Sequence, residues 1–145
     1  MVKYRTGYTC GVFDLFHVGH LNLLERCRSM CDCLIVGICD DEYVRNVKHK
    51  LPVYNENDRV RLIGALKCVD KAMLVNTEIT ENKMLAHEKF GFDVLFSGDD
   101  WKGTERYKLT ERQFGSMGVN IEYLPYTKGI STSQIIDTIY KGYNK

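Results

Sequence analysis

The chain of 145 residues has no excess of either charge: 20 Lys and Arg stand against 19 Asp and Glu, a formal net charge of +1. That balance excludes the global basic field that holds a nucleic-acid backbone, so no nucleic-acid partner is expected and any anion site must be local. No apolar run approaches bilayer-spanning length, and the first residues carry no apolar signal core. Membrane insertion is therefore not expected, and the expected compartment is cytoplasmic. Cys10, Cys27, Cys31, Cys33, Cys39 and Cys68 lack CxxC pairing, and several alternate with apolar residues. Buried reduced thiols fit that pattern better than a disulfide frame. Repeats, low-complexity tracts and linkers are also missing. With 44% hydrophobic residues the chain can bury one core, and its length suits a single domain over 1–145.

What is present is an alternation of two periodicities. A short run around Tyr8 and Thr9 reads as a first strand, and "CLIVGIC" at 33–39 is a continuous apolar run of the kind buried in parallel sheets. Between them Leu21, Leu24 and Cys27 or Arg28 recur at helical spacing. The theme continues with a helix over 57–66, a strand at 71–75, a helix over 81–90 and a strand at 93–98. A polar, charged segment, a strand at 120–125 and an amphipathic helix opening at Ser131 complete the chain. Strands separated by helices imply right-handed crossovers and a Rossmann-like, doubly wound α/β fold, a parallel five-stranded sheet flanked by helices. Ligands of such sheets sit beyond the carboxyl ends of the strands, so function should gather in the strand-to-helix loops. The Lys-rich segment 45–55 reads as a mobile loop.

The first of those loops lies in "CGVFDLFHVGHLNLLERCR", residues 10–28, where a chain with four histidines places two of them around Gly19. The first turn of a helix exposes unpaired N–H groups and the positive end of the dipole, which attract phosphate, and His17 and His20 add donors there. Gly11 permits close backbone approach to a ligand, Gly19 an entry conformation that a Cβ resists, and Asp14 a cap or an orienting contact. A metal site is poorly served, because HxGH supplies two ligands, lacks the glutamate of HExxH and has no third ligand nearby. Dinucleotide binding is not indicated, since GxGxxG is absent from this turn.

The run Gly11, Val12, Phe13, Asp14, Leu15, Phe16, His17, Val18, Gly19, His20 resembles the signature of the HxGH nucleotidyltransferase superfamily, in its cytidylyltransferase branch. A second motif of that family, RTEGIST, is resembled by Tyr126, Thr127, Lys128, Gly129, Ile130, Ser131 and Thr132, followed by Ser133. The likeness continues through "DDEYVRNVKHK", "VYNENDR", "CVDKA" and "FSGDDWKG", and so covers nearly the whole chain.

The resemblance implies a reaction in which a phosphate oxygen of a phosphorylated alcohol attacks the α-phosphorus of CTP and pyrophosphate leaves. It implies His17 and His20 as donors to the nucleotide phosphates, each accounting for about 3 kcal/mol of barrier by comparison with oxyanion-hole deletions. It implies Lys48 as a catalytic group at the acceptor phosphate, with Lys50 and Arg59 on the nucleotide. Both motifs, from Gly11 to Asp14 with Gly19 and from Tyr126 to Ser133, are implied nucleotide contacts; Lys83, Asp100 and Trp101 are implied at the acceptor. Tyr126 and Lys128 depart from the family's arginine and glutamate, so the motif's positive charge moves by two residues, and Arg and Lys are not equivalent in geometry. Magnesium is implied by the triphosphate, held mainly by phosphate oxygens with no protein ligand assigned. A homodimer is implied by the segment around Asp70. The small size and "FSGDDWKG" look most like enzymes acting on glycerol 3-phosphate, whereas "VYNENDR" is close to those acting on phosphocholine and phosphoethanolamine. An adenylyltransferase of the same fold and a non-catalytic nucleotide-binding module are the remaining alternatives.

Overall fold

Residues 2–143 are described in the computed structural model. Five strands, β1 (Tyr4–Gly11), β2 (Cys31–Cys39), β3 (Lys71–Val75), β4 (Val94–Gly98) and β5 (Asn120–Leu124), form one sheet in the order β3-β2-β1-β4-β5. Every pairing is parallel. The helices are α1 (Val18–Ser29), α2 (Asp41–Asn46), α3 (Glu56–Gly64), α4 (Thr77–Glu81), α5 (Lys83–Phe90), α6 (Glu105–Gly115) and α7 (Thr132–Tyr143). A 3-10 turn spans Asp99–Trp101.

The period of two along β2 sorts its side chains. Leu34, Val36 and Ile38 pack with Leu24 and Cys27 of α1 and Ile63 of α3, while Ile35 faces Tyr8, Leu95, Ala86 of α5 and Phe114 of α6. Both faces of the sheet are covered, and for this reason its inner strands read as unbroken apolar runs. Each fully buried Leu, Ile or Phe contributes roughly 1.5–3 kcal/mol. No helix among the described residues is long and apolar enough to cross a membrane.

Three local features differ from the sequence expectation. The helix read over 81–90 starts at Lys83, and Glu81 ends a separate helix α4 that was not foreseen, because Asn82 stays extended (φ −110°, ψ 100°) and its side-chain oxygen caps Met84 and Leu85. The charged segment after β4 holds α6, whose buried stripe of Tyr107, Thr110 and Phe114 contains only two apolar positions. The segment 45–55 is not a free loop. Its first residues belong to α2, and the amides of Val53 and Tyr54 donate to the Asp14 carboxylate at 2.6 and 2.9 Å.

Chain connections leave β1 toward β2 on one side, whereas β4 lies on the other. The carboxyl ends of β1 and β4 thus border the crevice that such a reversal of strand order opens.

Candidate active site

The β1–α1 loop is strained and tightly held. Phe13 (φ 53°) and Leu15 (φ 50°) both occupy the left-handed region, at a cost of order 1–3 kcal/mol each. Asp14 between them accepts from the Leu15 amide at 3.1 Å as well as from Val53 and Tyr54. Its carboxylate is thus occupied by backbone, and it orients the turn rather than capping α1. Gly11 lines the cleft and has a further reason besides the one expected. A Cβ there would lie 2.9 Å from the Phe13 ring, so the glycine makes room for that side chain.

His17 is the N-cap of α1, with Nδ1 accepting from the Gly19 amide at 3.0 Å. His20 reaches back, its Nδ1 accepting from the His17 amide at 3.3 Å, and the two rings stack with centroids 3.8 Å apart. Because both Nδ1 atoms are acceptors, each neutral ring carries its proton on Nε2. Burial lowers the His17 pKa, and burial together with the neighbouring His17 pushes His20 down to about 4. Two neutral Nε2–H donors therefore stand at one helix N-terminus. Gly19 is needed for this arrangement, since a Cβ would sit 2.8 Å from the His17 ring and 3.2 Å from Ile130.

His20 lines a cleft of about 350 Å³ beyond the carboxyl ends of β1, β2 and β4. Gly11, Val12, Phe13 and Asp14 form one wall, and Lys48, Lys50, Lys83 and Arg106 contribute four cations. Among the described residues none of these four enters an ion pair. Lys83 is only 9% exposed, and its ammonium donates to the Thr80 carbonyl at 2.7 Å. Buried charge with so few partners is costly unless an anion joins it. Trp101 lines the same end, stacked on Tyr107 at 5.3 Å with the Arg106 guanidinium over its indole at 5.4 Å. Asp100 lies outside the cleft wall, beside the Tyr126 hydroxyl.

The second motif is brought to the first. Thr132 Oγ1 donates to the Asp14 carbonyl at 2.8 Å, and Asn22 of α1 donates to Thr127 Oγ1 at 3.2 Å. Gly129 takes the left-handed turn (φ 85°), and Ser131 Oγ accepts from the Gln134 amide at 3.1 Å to start α7. Tyr126 and Thr132 line the cleft; Lys128 and Ser133 are exposed and do not.

Arg59 is the clearest departure from the sequence reading. It is fully buried beneath the cleft and does not line it. Its Nε donates to the Tyr54 carbonyl at 3.0 Å, Nη1 to the carbonyls of Val12 (2.9 Å) and Cys39 (2.7 Å), and Nη2 pairs with Asp41 at 2.5 Å. The guanidinium fork is consumed in bracing the loops that carry the site. Asp70 is likewise engaged, accepting from the Leu34 amide at 2.7 Å and pairing with Arg28 at 3.0 Å. Arg106, Thr80, Cys10 and Cys39 line the cleft without having been singled out as site residues. The strand ends Cys10 and Cys39 were legible by position; Arg106 lay hidden in an unrecognised helix.

A parallel doubly wound sheet with an HxGH helix start at its crevice defines a nucleotidyltransferase-like site. Residues 8–138 match the cytidylyltransferase-like family, and the chain belongs to it and is a nucleotidyltransferase. It is 35% identical over 132 residues to glycerol-3-phosphate cytidylyltransferase of Staphylococcus aureus, covering 91% of this chain and 92% of that protein. It is also 35% identical over 139 residues to the bifunctional protein HldE of Citrifermentans bemidjiense, covering 94% of this chain but only 27% of that longer protein. The crystal structure of the lipopolysaccharide core biosynthesis protein from Thermoplasma volcanium is similar, with a TM-score of 0.69, 28% identity and coverage of 88% of this chain and 99% of that one.

Proposed function

We propose that the chain transfers CMP from CTP to a phosphorylated alcohol, sn-glycerol 3-phosphate, giving CDP-glycerol and pyrophosphate. The observation that carries this reading is the stacked pair of neutral Nε2–H donors, His17 and His20, of which His20 lines a cleft that also holds four cations without ion pairs. An acceptor phosphate oxygen attacks the α-phosphorus in line, the bond from that phosphorus to the bridging oxygen breaks, and pyrophosphate departs. The protein supplies no nucleophile; it aligns two anions and stabilises the charge that builds on the transferring group. The histidines donate to the nucleotide phosphates, Lys50 neutralises the triphosphate, and Lys48 with the buried Lys83 receives the acceptor phosphate. Magnesium belongs to the same reading and neutralises triphosphate charge when bound. Among the described residues no group of three or more His, Cys, Asp or Glu is arranged to hold a metal, so phosphate oxygens and water would supply most of its ligands.

Arg106, the cation that remains once Lys48 and Lys83 take the acceptor phosphate, favours a neutral polyol over a cationic choline or ethanolamine head, which would meet like charge there. The test is pyrophosphate release with CTP and magnesium across glycerol 3-phosphate, phosphocholine and phosphoethanolamine, beside an ATP series. Release with CTP and glycerol 3-phosphate alone, lost about 100- to 1,000-fold in His17→Ala, is the expected result. Turnover with phosphocholine sinks the acceptor assignment, turnover with ATP alone sinks the nucleotide, and CTP binding without turnover indicates a silent module. A homodimer is part of the proposal, with sedimentation equilibrium as its check.

A further inference from the structure

Cys10 is the penultimate residue of β1 and Cys39 the last of β2, two neighbouring strands whose ends form the floor of the cleft. All six cysteines are free, and these two place their sulfurs 3.6 Å apart. Both line the cleft, so the pair faces the space that solutes enter. Its surroundings are mixed: Val12, Tyr43 and Val44 pack around the pair, and three polar groups approach it. Thr80 of α4 donates its hydroxyl to Cys39 Sγ at 3.8 Å, and the ammonium of Lys83 lies close enough to lower the Cys10 pKa. Tyr8 of β1 brings a buried hydroxyl, otherwise unpartnered, to the Cys10 side.

These groups divide the two thiols into different roles. Either sulfur can be the donor in the Cys10–Cys39 contact; with Cys39 as the donor, that contact and the Lys83 charge overcome the opposing effect of burial and hold Cys10 below the usual thiol range. Cys39 is pushed up by the same contact and stays protonated. The remaining thiols with a resolved shift all move the other way: burial raises Cys27, Cys31 and Cys68. A thiol held below its usual range beside a second thiol, Cys10 half-buried and Cys39 3% exposed where both line the cleft, is the arrangement of a dithiol that oxidises selectively.

We propose that Cys10 and Cys39 form a hydroperoxide-responsive dithiol at the floor of the cleft, in which Cys10 attacks the peroxide and Cys39 closes the disulfide. In the first step the Cys10 thiolate displaces one oxygen of hydrogen peroxide, forming a sulfenic acid; the leaving hydroxide takes a proton and departs as water. In the second, Cys39 sulfur attacks the sulfenic sulfur, its proton leaves with the sulfenic hydroxyl, and a second water departs. Two thiols are oxidised and one peroxide is reduced. The sulfurs must close by about 1.5 Å to reach bonding distance near 2.05 Å, and because Cys10 pairs with Gly37, two residues short of Cys39, the end of β2 must shift as they do. The site is chain chemistry and does not depend on which nucleotide or acceptor the cleft takes.

The experiment treats the purified full chain with about one equivalent of hydrogen peroxide, alkylates the remaining thiols and maps the peptides by mass spectrometry. A peptide pair joined through Cys10 and Cys39, with the other four cysteines still alkylated, is expected. In untreated protein at pH 7, iodoacetamide should modify Cys10 at least about tenfold faster than Cys68. Cys39→Ser should instead accumulate a Cys10 sulfenic acid that dimedone traps, and Cys10→Ser should leave Cys39 unoxidised. The proposal is overturned if Cys10 stays reduced while another cysteine oxidises first, or if Cys10 proceeds to sulfinic acid with no joined peptide. Oxidation of Cys39 at an unchanged rate in Cys10→Ser overturns it as well. The wild-type mapping decides the matter even where a serine variant fails to fold.

Discussion

His20 joins the proposed donor geometry to a measurable property of the folded chain. Its ring is pushed down to about 4 from the ordinary 6.5 by burial and by His17. The unfolded chain therefore binds a proton that the folded ring refuses, and stability falls as pH drops from about 6.5 toward 4. Urea midpoints followed across that range should decline, and His20→Asn should flatten the slope. Arg59 makes the opposite point, that a cation near an anion site need not touch the anion. Removing it leaves Asp41 and three carbonyls without their partner, so Arg59→Ala should cost about 3–5 kcal/mol in denaturant unfolding. An unchanged unfolding midpoint with a raised KM for CTP would return Arg59 to the nucleotide. Both residues were legible as important from the sequence; only their neighbours distinguish a donor at the cleft from a brace beneath it.

At the scale of elements, the N-terminus of α1 depends on a residue with no side chain. The ring of His17 and the methyl of Ile130 both crowd the place a Cβ would occupy on Gly19. Gly19→Ala must displace His17, with kcat expected to fall about 10- to 100-fold through loss of donor alignment while circular dichroism stays that of the wild type. A variant that retains full kcat would show that His17 alignment is unimportant. The helix was readable because Leu21, Leu24 and Cys27 recur at helical spacing. Helix α6, on the opposite face of the sheet, was not, since a buried threonine and charged neighbours dilute the stripe of Tyr107, Thr110 and Phe114. That omission also concealed Arg106, the cation that α6 delivers to the cleft.

At the scale of the whole molecule, two motifs more than a hundred residues apart meet through one hydroxyl. Thr132 at the start of α7 donates to the Asp14 carbonyl, while the Asp14 carboxylate holds Val53 and Tyr54. Asp14 thus links the first loop, the lysine-bearing loop and the C-terminal helix. Thr132→Val should loosen that junction by about 1 kcal/mol and raise KM for CTP more than it lowers kcat, as steady-state kinetics beside thermal unfolding will show. Equal kcat and KM with unchanged stability would mean that the junction holds without this bond.

The amino-acid sequence by itself determined the alternation of strands and helices, the doubly wound class and the two motif turns. Those properties are local: periodicity, glycine spacing and polar helix starts are written in neighbouring residues. Only the tertiary structure decided that Arg59 braces while Arg106 faces the cleft, that Asp14 spends its carboxylate on backbone amides, and that Cys10 meets Cys39. Each of those outcomes depends on which groups from distant segments arrive first at a donor, an acceptor or a sulfur, and that competition is settled by packing in three dimensions.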